Sequence, residues 1–135
     1  MPRSTHQDTL DDIQETLGHV PTFLSRLPEA HLGSEWRTMK DFQLQDTAIP
    51  MKYKELMGLA VASALQCPYC TYFHEQAARA NGASDEEVRE AVFQAKHTGG
   101  WSSFVRGTGQ SVEEFRAETD RIIEHMTGSA PQAHR

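Results

Sequence analysis

Two cysteines, Cys67 and Cys70, flank Pro68-Tyr69, and His74 follows four residues after the second. Side chains three and four positions apart share one face of a helix. On a helical reading, Cys67, Cys70 and His74 therefore line one edge that continues to Ala77, Ala78 and Asn81. Pro68 favours that reading, because proline suits the first helical position, where its missing N–H is no loss. Cys67 then falls at the N-cap and Cys70 in the first turn. Sulfurs so placed can bond with little backbone movement, and the positive end of the helix favours a thiolate. An imidazole one turn past Cys70 can take its proton. Nucleophile, base and resolving thiol are thus supplied by a few turns of one helix.

Glu55 lies on the preceding apolar segment, in a stripe with Gly58, Leu59 and Ala62. If it faces His74 it can orient the imidazole and accept charge. It reads equally well as a first-turn acid serving the helix dipole or pairing with Lys52 or Lys54. The cysteines have alternatives too. They can be buried core thiols or, with His74 and Glu55, zinc ligands, although no second Cys/His pair follows. A structural disulfide is disfavoured in a reducing compartment.

The elements that must carry these groups all read as helix. Leu10, Ile13 and Leu17 recur at helical spacing from Asp8 to a stop at Gly18. Pro21 and Pro28 bracket a single turn over Thr22–Leu27. A longer helix is predicted from Pro28 to Gln45, with Leu32, Trp36, Met39 and Phe42, and Gln43 beside them, on one side. Ile49-Pro50 breaks it. Lys52–Gln66 is apolar almost all round, the pattern of a buried element. The CxxC helix should stop at Asn81-Gly82. Capping boxes at Ser84–Glu87 and Ser111–Glu114 open two more helices. The first is expected to end at Gly99-Gly100, and the second to turn Phe115, Ile122, Ile123 and Met126 to the core. His97 would then lie near a helix end, and Thr98–Trp101 would form a turn able to lie over a pocket, making His97 and Trp101 secondary site candidates. His6, His19, His31, His125 and His134 read as surface or tail. The predicted fold is all-α, a compact bundle of about six to eight helices without a sheet, in one domain over 8–127. Residues 1–7 and 128–135 are expected to be flexible.

A chain of 135 residues can bury a real core. Its net charge of −6 argues against nucleic-acid binding, which requires a basic surface. No stretch reaches the roughly 20 apolar residues of a membrane span, and the polar start is not a signal peptide. The expected compartment is the cytoplasm, where a CxxC pair reads as catalytic or metal-binding.

These residues resemble the AhpD-like alkylhydroperoxidases of the carboxymuconolactone decarboxylase superfamily. The likeness runs from Lys54-Glu55-Leu56 through Cys67-Pro68-Tyr69-Cys70, His74, Asn81-Gly82-Ala83 and Asp85-Glu86-Glu87 to Glu90-Ala91, with a weaker match at Val20–Leu24. Its specific part is the spacing: Glu twelve residues before the first Cys, then CxxC, then His four after the second. The resemblance implies an AhpD-like helical fold, a homo-oligomer (trimer or hexamer), and hydroperoxide reduction by a redox-active Cys67–Cys70 disulfide with no other cofactor and no metal. Glu55 and His74 would form the proton relay. Cys70 would attack the peroxide and Cys67 would resolve the sulfenic acid. The family's prototype carries a His before the second Cys where this chain has Tyr69, so its substrate range and reducing partners are not carried over.

The function expected is a thiol-dependent peroxidase acting on alkyl or small hydroperoxides, recharged by a thiol or dithiol protein. The alternatives are a thiol–disulfide oxidoreductase and a non-catalytic redox-sensing oligomer. The small residues of Lys52–Gln66 and the aromatics of the CxxC helix place the expected subunit interface near the site.

Overall fold

The N-terminal helix exists because Leu10, Ile13 and Leu17 fall on one stripe, which buries Ile13 completely. The computed structural model describes residues 5–129. Along them run α1 (Thr5–Leu17), α2 (Thr22–Ser25), α3 (Glu29–Thr38), α4 (Met51–Ala64), α5 (Pro68–Ala80), α6 (Asp85–Thr108) and α7 (Val112–Thr127). Among the described residues there is no strand, so the chain is all-α as predicted. Its contacts divide within α6, after Val92, into two units.

In the first unit Ile13, Leu24, Leu32 and Trp36 form a core joined by Leu10, Leu17, Met39 and Leu44. Truncating a buried leucine such as Leu32 to alanine costs about 2–5 kcal/mol. A polar clamp fixes the register of α1 on α3. The Trp36 indole donates to Asp12 at 2.7 Å and the Lys40 ammonium donates to its other oxygen at 2.6 Å. Next in the chain, α4 packs on α5 more extensively than any other pair of elements. Leu59, Ala62 and Ala78 are buried there, and small residues let the backbones approach.

Several expectations need correction. Thr5–Gln7, expected to be flexible, are helical and belong to α1; residues 1–4 and 130–135, including His134, lie outside the described residues. The helix begun at Glu29 does not stay α-helical to Gln45. Met39–Gln43 form a π-helical stretch, with the Leu44 N–H reaching Met39 five residues back at 2.9 Å. Its Phe42 is exposed rather than buried. Helix α4 is not buried all round either: Met57, Val61 and Leu65 are 55%, 58% and 72% exposed.

In the second unit, α6 passes straight through Gly99-Gly100 and stops at Gly109, whose φ is +74°. Mid-helix glycines cost only about 1 kcal/mol each, whereas a positive φ ends a helix outright. His97 is therefore mid-helix, and Thr98–Trp101 is helix rather than turn. On α7 the Ser111–Glu114 capping box forms as predicted. Phe115, Ile122, Ile123 and Met126, however, are exposed in the isolated chain. The amphipathic stripe predicts which face is apolar, not what covers it.

Candidate active site

The reactive helix begins with a tightly built corner. At the end of α4 the Cys67 N–H reaches back to the Ala62 carbonyl at 3.0 Å and the Gln66 N–H to Ser63 at 3.2 Å. These paired bonds form a Schellman cap, which requires a left-handed residue between them. That residue is Gln66, at φ +57°, where a β-carbon costs about 1–2 kcal/mol. Cys67 thus closes α4 and caps α5 at once, its sulfur accepting the Cys70 N–H at 3.3 Å. The turn continues with the Thr71 hydroxyl donating to the Cys67 carbonyl at 2.7 Å.

One turn further on, the His74 Nδ1 meets the Glu55 Oε2 at 2.6 Å across the α4–α5 contact. Glu55 is 0% exposed, and a buried carboxylate is tolerated only when it is hydrogen-bonded. Its second oxygen, Oε1, accepts from the Gln43 amide at 2.6 Å. The reading of Glu55 as an acid paired with a neighbouring lysine fails on geometry. Lys52 pairs with Glu87 at 2.9 Å. Lys54, itself buried, donates to the carbonyls of Phe42 and of Gln45, the latter at 2.7 Å. Gly58 makes the approach possible, since a β-carbon there would stand 2.5 Å from the His74 ring.

His74, Cys67 and Cys70 line one cavity of about 590 Å³. Phe23 of α2, Met39 of the π stretch, and Tyr69 and Phe73 of α5 supply its apolar wall, and Gln43 reaches it as well. Both cysteines are free thiols, Cys67 half-buried and Cys70 exposed. Their polarity is unequal. The Cys70 thiol and then the Cys70 N–H, both donating to Cys67, hold the Cys67 thiol below the ordinary range. The same thiol pair, with burial added, pushes Cys70 up. Of the two thiols, Cys67 therefore loses its proton the more readily.

All four residues singled out by spacing, Glu55, Cys67, Cys70 and His74, thus belong to one α4–α5 arrangement. In the second unit the Trp101 indole donates to His97 at 3.1 Å along α6. Among the described residues no group of three or more His, Cys, Asp or Glu side chains is placed to hold a metal ion. Spacing alone missed Gln43, Lys54 and Gly58. The one signal for Gly58 was a glycine inside an apolar helix; for Gln43 it was a polar residue at the edge of an apolar stripe.

The family model described as "Carboxymuconolactone decarboxylase family" matches residues 31–109, more than half of the chain. The chain belongs to the carboxymuconolactone decarboxylase family. Like this family member, the crystal structure of the alkylhydroperoxidase AhpD core from Rhodospirillum rubrum has the same fold: TM-score 0.71 and 26% identity, over 83% of this chain and 85% of that one. The chain is also 40% identical over 50 residues to uncharacterized protein 4 in the cox locus of Paracoccus denitrificans. That match covers 37% of this carboxymuconolactone decarboxylase family chain and 45% of the relative, so the chain spans less than half of the relative's length. The AhpD-like fold is therefore established by structure as well as by family. Among the described residues, no helix of this family member is long and apolar enough to cross a membrane.

Proposed function

We propose that this chain is a thiol-dependent peroxidase that reduces alkyl or small hydroperoxides through Cys67 and Cys70. The observation that carries the reading is the fully buried Glu55 held 2.6 Å from a histidine that shares an apolar cavity with both thiols. A carboxylate accepting Nδ1–H leaves the Nε2 lone pair free to act as a base. The structural relative is an alkylhydroperoxidase AhpD core, which supports the same reaction class.

In the proposed cycle His74 takes the proton of Cys70. The Cys70 sulfur attacks one peroxide oxygen, the O–O bond breaks, and the departing alkoxide takes the proton from His74 to leave as alcohol. Cys70 is then a sulfenic acid, oxidised by two electrons. The Cys67 sulfur, the more readily deprotonated of the two, then attacks it. The S–S bond forms, and hydroxide leaves, taking up the proton released by Cys67 to give water. A dithiol or thiol-protein reductant supplies two electrons and two protons to restore the pair. The exposure of Cys70 suits that exchange, and also favours a second reading in which thiol–disulfide exchange with another protein is the whole activity.

We also propose self-association, supported by the exposed Met57, Val61 and Leu65 on one face of α4 and by the exposed apolar face of α7. Patches of this kind mark interaction sites.

The deciding experiment follows free thiols and intact mass of the reduced protein against tert-butyl hydroperoxide. Rapid loss of two thiols and two mass units, absent in Cys70→Ser, is the expected result. Thiols that persist under peroxide but exchange with a protein disulfide would leave the second reading in its place.

A further inference from the structure

Among the described residues, Gln43 is the one side chain besides His74 that hydrogen-bonds the buried Glu55 carboxylate, at 2.6 Å from Oε1. It arrives there by an unusual route. An α-helix turns 100° per residue, and the π-helical stretch Met39–Gln43 adds a residue to that turn. The extra residue changes which side chain faces α4. π-helical segments cluster at functional sites because they cost regular hydrogen bonding. Here the cost is met locally: Lys54, next to Glu55 in sequence, donates to the carbonyls of Phe42 and Gln45 on either side of the stretch's end, and its ammonium lies 4.4 Å from the Phe42 ring centroid. Two adjacent buried residues of α4 thus grip one short segment, Lys54 by its backbone and Glu55 by its Gln43 side chain.

We propose that Gln43 is a positioning residue of the relay, which forces the Glu55 carboxyl to exchange its proton only with His74. This rests on the peroxidase reading for its purpose but not for its geometry. An amide N–H can only donate, so a proton on Oε1 would meet another donor. The carboxyl is confined to an unprotonated Oε1, and Oε2 alone is left to face Nδ1. A charge-assisted hydrogen bond to a fully buried carboxylate also stabilises it. Without it, Oε1 can carry a proton and Oε2 is no longer committed to Nδ1, so His74 is less well held as a base.

The other charged groups around the pair leave Gln43 this role. Cys67, Cys70 and Tyr69 share the cavity from α5. On α4, Lys54 is turned to backbone carbonyls and Lys52 to Glu87; on the π stretch, Lys40 is turned to Asp12, and Asp41 is exposed. Beyond His74 on α5, Glu75 pairs with Arg79.

The test uses the whole reduced protein and two variants, Gln43→Leu, which removes the donor, and Gln43→Glu, which replaces it isosterically with an acceptor. Thiol oxidation by tert-butyl hydroperoxide is followed from pH 5 to 9, and the His74 Nδ1–H resonance is followed by NMR with no peroxide present. The expected result is an acid limb of the rate profile moved to higher pH, with a displaced or lost Nδ1–H signal in both variants. Rates lowered equally at every pH, with an unchanged Nδ1–H signal, would overturn the proposal. If Gln43→Leu does not fold, the isosteric Gln43→Glu decides. If the wild type ignores peroxide, the peroxidase reading falls, and the NMR arm still judges Gln43.

Discussion

The backbone of Gly58 lies so close to His74 that an alanine methyl there would stand 2.5 Å from ring atoms Nδ1 and Cε1 and 2.8 Å from Cγ. The ring has little room to yield, because its Nδ1 is held by Glu55. Gly58→Ala should therefore displace the imidazole. The substitution gains about 1 kcal/mol of helix propensity, so stability should change little or fall modestly. Peroxide-dependent thiol oxidation should drop by about 10²-fold, the effect of roughly 1 Å of misplacement. A fully active Gly58→Ala would show that His74 is not required where it sits.

Glu55→Gln keeps the shape and lets one amide oxygen accept from Gln43, but presents an N–H to His74. The imidazole must then accept at Nδ1 and carry its proton on Nε2, the wrong tautomer for a base. Thermal stability should change little while the oxidation rate falls by about 10²–10⁴, matching His74→Ala. Glu55→Leu, by contrast, strands two buried donors and should cost about 1–3 kcal/mol for each unsatisfied group. Wild-type kinetics in Glu55→Gln would confine Glu55 to a structural role.

The unequal thiols predict their own order of modification. With Cys67 held low by hydrogen bonds from the Cys70 thiol and N–H, and Cys70 raised by the same pair, iodoacetamide at neutral pH should label Cys67 first. Peptide mapping reads this directly, and Cys70, though more exposed, should follow only as pH rises. Under peroxide, Cys67→Ser should accumulate one sulfenic acid on Cys70, trapped by dimedone, and make no second turnover. Dimedone on Cys67 in Cys70→Ser, with none in Cys67→Ser, would reverse the proposed roles.

The Asp12 clamp predicts an acid-sensitive contribution to stability. Hydrogen bonds from Lys40 and then from Trp36 lower its folded-state proton affinity. That contribution is complete above the ordinary aspartate range near 4 and is lost as pH falls through the lower folded value. The partner Lys40 is raised by Asp12, so its share persists below the ordinary lysine range and is lost only as pH rises through its folded value. Melting temperatures of wild type and Asp12→Asn should thus differ at pH 6 and converge toward pH 3. A constant gap over that range would mean that the charge on Asp12 contributes nothing.

Met57, Val61 and Leu65 follow one another at helical spacing along the exposed face of α4. If that face is a subunit contact, Val61→Glu should shift sedimentation toward a smaller species at micromolar concentration. A wild-type protein that already sediments as a monomer would remove the self-association reading.

The helices were legible in the sequence because their signals are local. Pro68 after an N-capping Cys67, the two capping boxes, and the recurrence of Leu10, Ile13 and Leu17 each act over one or two turns. The Glu55, Cys67, Cys70 and His74 spacing likewise determined that three chemical groups share an edge of α5, with a carboxylate on the helix before it. What only the tertiary structure decided is which neighbour each buried group meets. The sequence left Glu55 free to serve Lys52, Lys54 or His74, and the close α4–α5 approach at Gly58 assigns it to His74. It did not distinguish an α-helical from a π-helical Met39–Gln43, because that choice rests on Lys54 and Glu55 holding the segment from another helix. It overestimated Gly99-Gly100 as a stop, since the cost of glycine in a helix is small unless φ is positive. Local free energies write the elements into the chain; the partners of buried charge are decided only when those elements pack.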